Sequence, residues 1–301
     1  MTAASMPAAS VVVGVDGSRD GVYALQWAAA DAARRHRPLH LVYAGESPQH
    51  LHPPVGLALP VSYQEDARQA TERIVAGAVV HARDVAVDLR ITTEIVADRP
   101  VPALLNASRH ASLVVVGNRG FGGFAALLVG STGVQLAAHA ECPVVIVRRR
   151  GRADGPEAGR VVVGVDGSHD AEHALQFAFE QAAFRDAGLT AVHAYWLPAP
   201  VEAGGITAVV YDQDEVRDEE RRMLSESLAG WREKYPDVDI RPNVVPGTAG
   251  GALTDASTGA ELLVVGARGH GGFPGLHLGS VSQAVIHHAS CPVAVVRPPH
   301  G

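Results

Sequence analysis

Residues 266–282 read GARGHGGFPGLHLGSVS, and residues 117–133 read GNRGFGGFAALLVGSTG. Each follows a short apolar run rich in β-branched residues (262–265 and 113–116), and each ends where a helical pattern begins. The pattern is strand, glycine-rich loop, helix. Gly117, Gly120 and Gly130, like Gly266, Gly269 and Gly279, let a backbone turn sharply and bring its N–H groups close to an anion. Ser131 and Ser280 fall at the helix start, where a hydroxyl, orphan amides and the helix dipole all favour negative charge. A lone glycine loop is more often a plain turn. Two copies with the spacing G-x2-G-x9-G-S point instead to phosphate, and Arg119 and Arg268 could add charge.

Working outward, the rest of the chain repeats as well. VVVGVDGS begins at Val11 and again at Val161, ALQWA at Ala24 answers ALQFA at Ala174, and ECPVVIVR at Glu141 answers SCPVAVVR at Ser290. The offset stays at 149 or 150 residues. This is a tandem duplication. The expected division is a first domain over 1–148, a solvated Gly- and Arg-rich linker over 149–159, and a second domain over 160–301.

Within the first half, 11–15 is a continuous apolar run, as suits a strand buried on both faces. The pattern then gives a helix over 21–35, a strand over 39–44, a Pro-rich loop over 45–62 and a helix over 63–82. A strand over 88–96, a helix over 101–108, a strand over 113–116, a helix over 131–138 and a strand over 144–147 complete it. The second half repeats this order, with a long helix over 212–235. Alternation of this kind predicts an α/β chain of two doubly wound, Rossmann-like domains, each a five-stranded parallel sheet with helices on both faces. Ligands of such sheets lie beyond the strand ends where strand order reverses. Asp16, after the first strand, and the glycine loop, after the fourth, would face one crevice.

Composition excludes several classes. The 301 residues are 47% hydrophobic and carry a net charge of −7, so neither a basic surface nor a nucleic-acid partner is expected. Lys234 is the only lysine, and a Walker-type loop, which needs a lysine beside its phosphates, is excluded. No apolar run reaches the length of a membrane span and the start lacks the layout of a secretory signal, so a cytoplasmic protein without a membrane partner is expected. Cys142 and Cys291 each precede a proline before an apolar run, and are read as two buried thiols. His50, His52, His287 and His288 lack carboxylate or cysteine companions at a useful spacing and are read as surface or packing residues, with no metal site. No G-x-S-x-G or H-E-x-x-H motif is present.

The VGVDGS strand end and the G-x2-G-x9-G-[ST] loop, each present twice, resemble the universal stress protein family in its ATP-binding branch, of the tandem type found in actinobacteria and mycobacteria. The resemblance covers nearly the whole chain. It implies a fold like that of the adenine nucleotide hydrolases, ATP in each half and a noncatalytic role in stress response or growth arrest. Asp16 and Asp166 would then meet the ribose, Gly14 and Gly164 would keep the first strand's end open, and main-chain atoms near Ala44 and Ala194 would read adenine. One triphosphate would fall to Gly117, Asn118, Arg119, Gly120, Gly122, Gly123, Gly130, Ser131 and Thr132. The other would fall to Gly266, Arg268, Gly269, Gly271, Gly272, Gly279, Ser280, Val281 and Ser282. The family's Gly-Ser-Val-[Ser/Thr] is intact at 279–282, whereas 130–133 read Gly-Ser-Thr-Gly; a displaced hydroxyl and a flexible glycine would weaken the first site.

Two other readings stay open. One is a slow ATP hydrolase or nucleotidyl-transfer enzyme on the same fold, and the other is an interaction module that binds no nucleotide. The alternative role for each aspartate is a turn former in Asp-Gly-Ser. A triphosphate held mostly by neutral amides implies Mg2+ bridging its oxygens, with few ligands from the protein. In the family the last strand pairs two domains, so 144–147 and 293–296 are expected to pair within the chain, with a homodimer possible through other surfaces.

Overall fold

The computed structural model describes residues 6–45, 61–120, 129–149, 154–196, 213–270 and 277–298. The chain divides into two compact units at residue 149. The first unit runs β1 (Ser10–Gly14), α1 (Arg19–Arg34), β2 (Leu39–Ala44), α2 (Val61–Val85) and β3 (Ile91–Val96). It continues with α3 (Pro100–Ser108), β4 (Ala111–Gly117), α4 (Ser131–His139) and β5 (Val144–Val147). The second runs β6 (Arg160–Gly164), α5 (His169–Arg185), β7 (Gly188–Tyr195), α6 (Gln213–Lys234) and β8 (Ile240–Pro246). It ends with α7 (Ala249–Ala256), β9 (Leu262–Gly266), α8 (Ser280–His288) and β10 (Val293–Val296).

Within the first unit the strands lie in the order β3-β2-β1-β4-β5, and within the second β8-β7-β6-β9-β10. All these pairings are parallel. Strand order reverses between β1 and β4, and between β6 and β9, which is where a doubly wound sheet opens a crevice. Val11, Val12 and Val13 are fully buried, as are Val161, Val162 and Val163, because helices cover both faces of each central strand. Among the described residues no helix is long and apolar enough to cross a membrane.

The helix after each first strand is set by the Asp-Gly-Ser turn. Gly17 and Gly167 take left-handed backbone, φ 80° and 76°, and Ser18 and Ser168 then cap α1 and α5 by accepting from the Gly21 and Ala171 amides. The sequence pattern begins the third strand at residue 88, but β3 begins at Ile91. Residues 86–90 are used to close α2, with the Leu89 amide donating to the Ala86 carbonyl at 3.3 Å.

In the segment expected as a solvated linker, the described residues are exposed apart from Glu157. Glu157 and Arg160 are 6% and 8% exposed. The Arg160 guanidinium donates to Thr190 Oγ1 at 2.8 Å, to the Leu189 and Asp239 carbonyls at 2.8 and 2.9 Å, and to Asp239 Oδ2 at 2.6 Å. Thr190 Oγ1 donates in turn to Glu157 Oε2 at 2.5 Å. Glu157 turns in because the buried Arg160, at the start of β6, holds the polar network that receives its carboxylate. Cys142 and Cys291 are buried free thiols, and burial pushes the Cys142 thiol up to about 12.

Candidate functional site

Each unit carries one cleft at its reversal point, beyond the ends of β1 and β4 or of β6 and β9. The first is lined by Gly14, Asp16, Ala44, Gly117, Arg119, Gly120, Gly130, Ser131 and Thr132. The second is lined by Gly164, Asp166, Ala194, Gly266, Arg268, Gly269, Gly279, Ser280, Val281 and Ser282. Of the residues expected from sequence, Gly122, Gly123, Gly271 and Gly272 lie outside the described residues, as do His50 and His52.

The loop is an excursion whose two ends are tied together. The Gly130 amide donates to the Asn118 carbonyl at 2.8 Å, and the Gly279 amide to the Ala267 carbonyl at 2.8 Å. Asn118 and Ala267 are fixed by their own amides on Val147 and Val296. Asn118 therefore shapes the loop through its backbone and does not line the cleft, which is why alanine stands at the equivalent place in the second unit. After the tie, α4 and α8 begin on Gly130 and Gly279, and neither helix start has a side-chain cap. Both face the cleft with first-turn amides, where α1, α5 and α7 are capped by Ser18, Ser168 and Thr248.

The glycines serve three different ends, and left-handed backbone is not one of them. Gly130 and Gly279 have φ of −69° and −73°, ordinary for any residue. Gly117 and Gly266 admit the first turn of the helix packed behind them: a Cβ on Gly117 would lie 2.7 Å from the Asp20 carbonyl carbon, and one on Gly266 3.0 Å from that of Asp170. Gly120 and Gly269 admit the aspartates. A Cβ on Gly120 would lie 2.7 Å from Asp16 Oδ2, and one on Gly269 would collide with Asp166 Oδ2. Gly14 and Gly164 make room for Leu104 and Leu253, whose methyls would lie 3.0 and 2.9 Å from an added Cβ.

Asp16 and Asp166 do form the Asp-Gly-Ser turn. Oδ1 of each accepts from the Ser18 or Ser168 amide, at 2.9 and 3.0 Å. The same aspartates also face the loop, where the His270 amide donates to Asp166 Oδ2 at 3.2 Å. Arg268 is held by its backbone, its amide donating to Asp170 Oδ2 at 3.0 Å, while its Nε stands 4.0 Å from that oxygen. Arg297 closes the far end of the loop by donating to the His277 carbonyl at 2.8 Å; burial, then the nearby Arg268, hold its guanidinium below the usual arginine range.

Ser282 lines the cleft, but its hydroxyl turns back onto the strand, donating to the Gly266 and Ala267 carbonyls at 2.7 and 3.1 Å. In the first unit Gly133 stands there because Ile146 is close, 3.3 Å from where its Cβ would be; the second unit has the smaller Val295 at the equivalent place. The Gly-Ser-Thr-Gly departure is thus a packing exchange.

The sequence reading missed the apolar floor. Val42, Leu104 and Val116 line the first cleft and Val192, Leu253 and Val265 the second. These pairs keep the repeat offset of 149 or 150, which could have marked them.

The model of the universal stress protein family matches residues 9–148 and 157–297. A universal stress protein of Mycobacterium tuberculosis is 36% identical, the match covering 96% of this chain and 95% of that protein. A second from the same organism is 38% identical over 95% and 96%. A universal stress protein from Mycolicibacterium smegmatis is 35% identical over 96% and 97%. The crystal structure of a universal stress protein from Archaeoglobus fulgidus is similar in fold, with a TM-score of 0.67 and 19% identity over 96% of each chain. With one family match in each unit and relatives alike along their whole length, the chain belongs to the universal stress protein family as a tandem member.

Proposed function

We propose that the chain binds ATP in each of its two clefts and acts as a noncatalytic regulator, its nucleotide occupancy changing its affinity for a partner protein. One observation carries this reading: an uncapped helix start, an apolar floor and a strand-end aspartate meet in one cleft, twice in the chain. First-turn amides without a side-chain cap favour an anion. Val42 and Leu104, or Val192 and Leu253, offer an apolar surface to a base, with the main chain at Ala44 or Ala194 available for its polar edge. Asp16 and Asp166 supply acceptors for ribose hydroxyls. The choice of ATP over another nucleotide, and of a cytoplasmic regulator over an enzyme, is supported by membership of the family.

Mg2+ would reach the site with the nucleotide. Among the described residues no group of three metal-ligating side chains occurs, and Asp170 is already engaged by the Arg268 amide. The ion would neutralise phosphate charge that the backbone amides leave uncompensated.

The test is calorimetric titration of ATP into the full chain, with Mg2+ and with a chelator. Two sites per chain, weakened by the chelator, are expected. A chain that takes up no ATP overturns the nucleotide reading. Multiple-turnover hydrolysis that is lost on Gly120→Val or Gly269→Val replaces the regulator with an enzyme.

A further inference from the structure

The two glycine loops differ in sequence at the position after the second glycine. The second unit has His270 there, and the repeat offset puts Phe121 at the matching place in the sequence. His270 lines the second cleft together with Arg268, Ser280 and Asp166. Its backbone is anchored by the bond from its amide to Asp166 Oδ2. Its ring lies beside the Asp-Gly-Ser turn: a Cβ on Gly167 would stand 3.7 Å from the imidazole Cε1 and 3.9 Å from Met223 Sδ of α6. The residue is exposed, so the ring can exchange protons with solvent.

We propose that His270 makes the second cleft a proton-tuned phosphate site, its imidazolium adding a positive charge to the anion-binding loop as pH falls, while the first cleft lacks this response. The inference rests on the nucleotide reading above. Four further groups set the local charge. Asp166 at the end of β6 is negative and occupied on both oxygens by the Ser168 and His270 donors. Arg268 carries positive charge at the cleft wall, and Asp170 of α5 partly offsets it. Arg297 beyond β10 is turned to the His277 carbonyl. Met223 and Gly167 are neutral. Of these side chains, histidine is the type whose charge changes between about pH 5 and pH 8. The consequence is a chain in which the ratio of the two sites' affinities differs between pH 6 and pH 8.

The terminal phosphate of ATP also gains a proton in this range, so the parent's profile alone decides nothing. The experiment compares parent with His270→Phe. Both are made in a Gly120→Val background that closes the first cleft, circular dichroism checks folding, and ATP is titrated by calorimetry at pH 8 and pH 6. The ratio of parent to variant affinity is expected to rise roughly fivefold between the two, the scale of one added unit charge a few ångströms from another in a solvent-exposed site. His270→Gln, which is polar but does not ionise in this range, should behave as His270→Phe does. A ratio that stays flat while ATP binds overturns the role of His270 and leaves the nucleotide reading standing. An unaltered chain that binds no ATP overturns the nucleotide reading itself.

Discussion

Asp166 and His270 join the two halves of the second cleft: the His270 amide donates to Asp166 Oδ2 at 3.2 Å, while Oδ1 takes the Ser168 amide at 3.0 Å and the Ser168 hydroxyl at 2.6 Å. A carboxylate has an acceptor oxygen for each side, and an amide has only one. Asp166→Asn should therefore untie either the turn or the loop, and should cost about 1 kcal/mol of stability at this exposed site. ATP affinity at the second cleft should fall by a further 1.5–3 kcal/mol, roughly the worth of hydrogen bonds to a charged acceptor. Denaturant unfolding and calorimetric titration of the same variant separate the two effects. Unchanged affinity would remove Asp166 from the ribose.

The repeat and the buried valine strands made the fold legible, because a period of 149 or 150 residues is preserved by residues of many chemical types. The glycine loop was legible as a loop, but not glycine by glycine. A sequence shows that a Cβ is missing, and only the structure shows what its absence admits: a helix backbone at Gly117, a carboxylate at Gly120, a leucine at Gly14. Where the Ser282 hydroxyl turns was illegible for a related reason, since a hydroxyl can turn either to a ligand or to the strand behind it. The burial of Glu157 and Arg160 was hidden because their partners lie at Thr190 and Asp239, far along the chain.

Arg160 is expected to matter more than any exposed arginine. Arg160→Met leaves Glu157, 6% exposed, with Thr190 as its remaining polar partner in this network, and an uncompensated buried charge costs about 3–5 kcal/mol. Adding Glu157→Gln should recover a large part of that loss. Urea unfolding of the single and double variants reads this directly; a single variant as stable as the parent would contradict the network.

The same network has a pH signature. The bond from Arg160, and then its charge, hold the Asp239 carboxyl below the usual aspartate range. A carboxyl depressed on folding contributes stability above its unfolded pKa, and the contribution is lost as pH falls through the folded value. Asp239→Asn should thus narrow the stability gap between neutral and acid conditions, measured as the difference in melting temperature at pH 7 and pH 3. An identical gap in parent and variant would argue against the link.

Cys142 should be inert in the folded chain. Its thiol is pushed up to about 12 by burial and Cys291 is 1% exposed, so a thiol reagent at pH 8 should modify neither residue. Both should react once denaturant is added. Rapid labelling of the native protein would show that the cysteine-bearing ends of β5 and β10 open readily.

The glycines of the loop should divide into two classes when each is changed to alanine. At Gly117 the new Cβ meets the Asp20 carbonyl carbon and oxygen, at 2.7 and 2.8 Å, and at Gly266 it meets the Cβ and carbonyl carbon of Asp170, at 2.9 and 3.0 Å. Backbone inside a helix cannot step aside without moving the helix, so each change should cost about 1–3 kcal/mol of stability. At Gly120 and Gly269 the Cβ meets only the end of an aspartate side chain, which can rotate away. Stability should therefore fall by only about 1 kcal/mol, the scale of the hydrogen bonds the aspartate gives up, while the displaced carboxylate disturbs the cleft and lowers ATP affinity in that unit alone. The measurement is unfolding by denaturant together with the calorimetric stoichiometry for ATP. Gly117→Ala and Gly266→Ala should shift the unfolding midpoint most, and Gly120→Ala and Gly269→Ala should shift it less and change one site of two. Four variants that behave alike would mean that the loop acts as one cooperative unit and that these steric assignments are wrong.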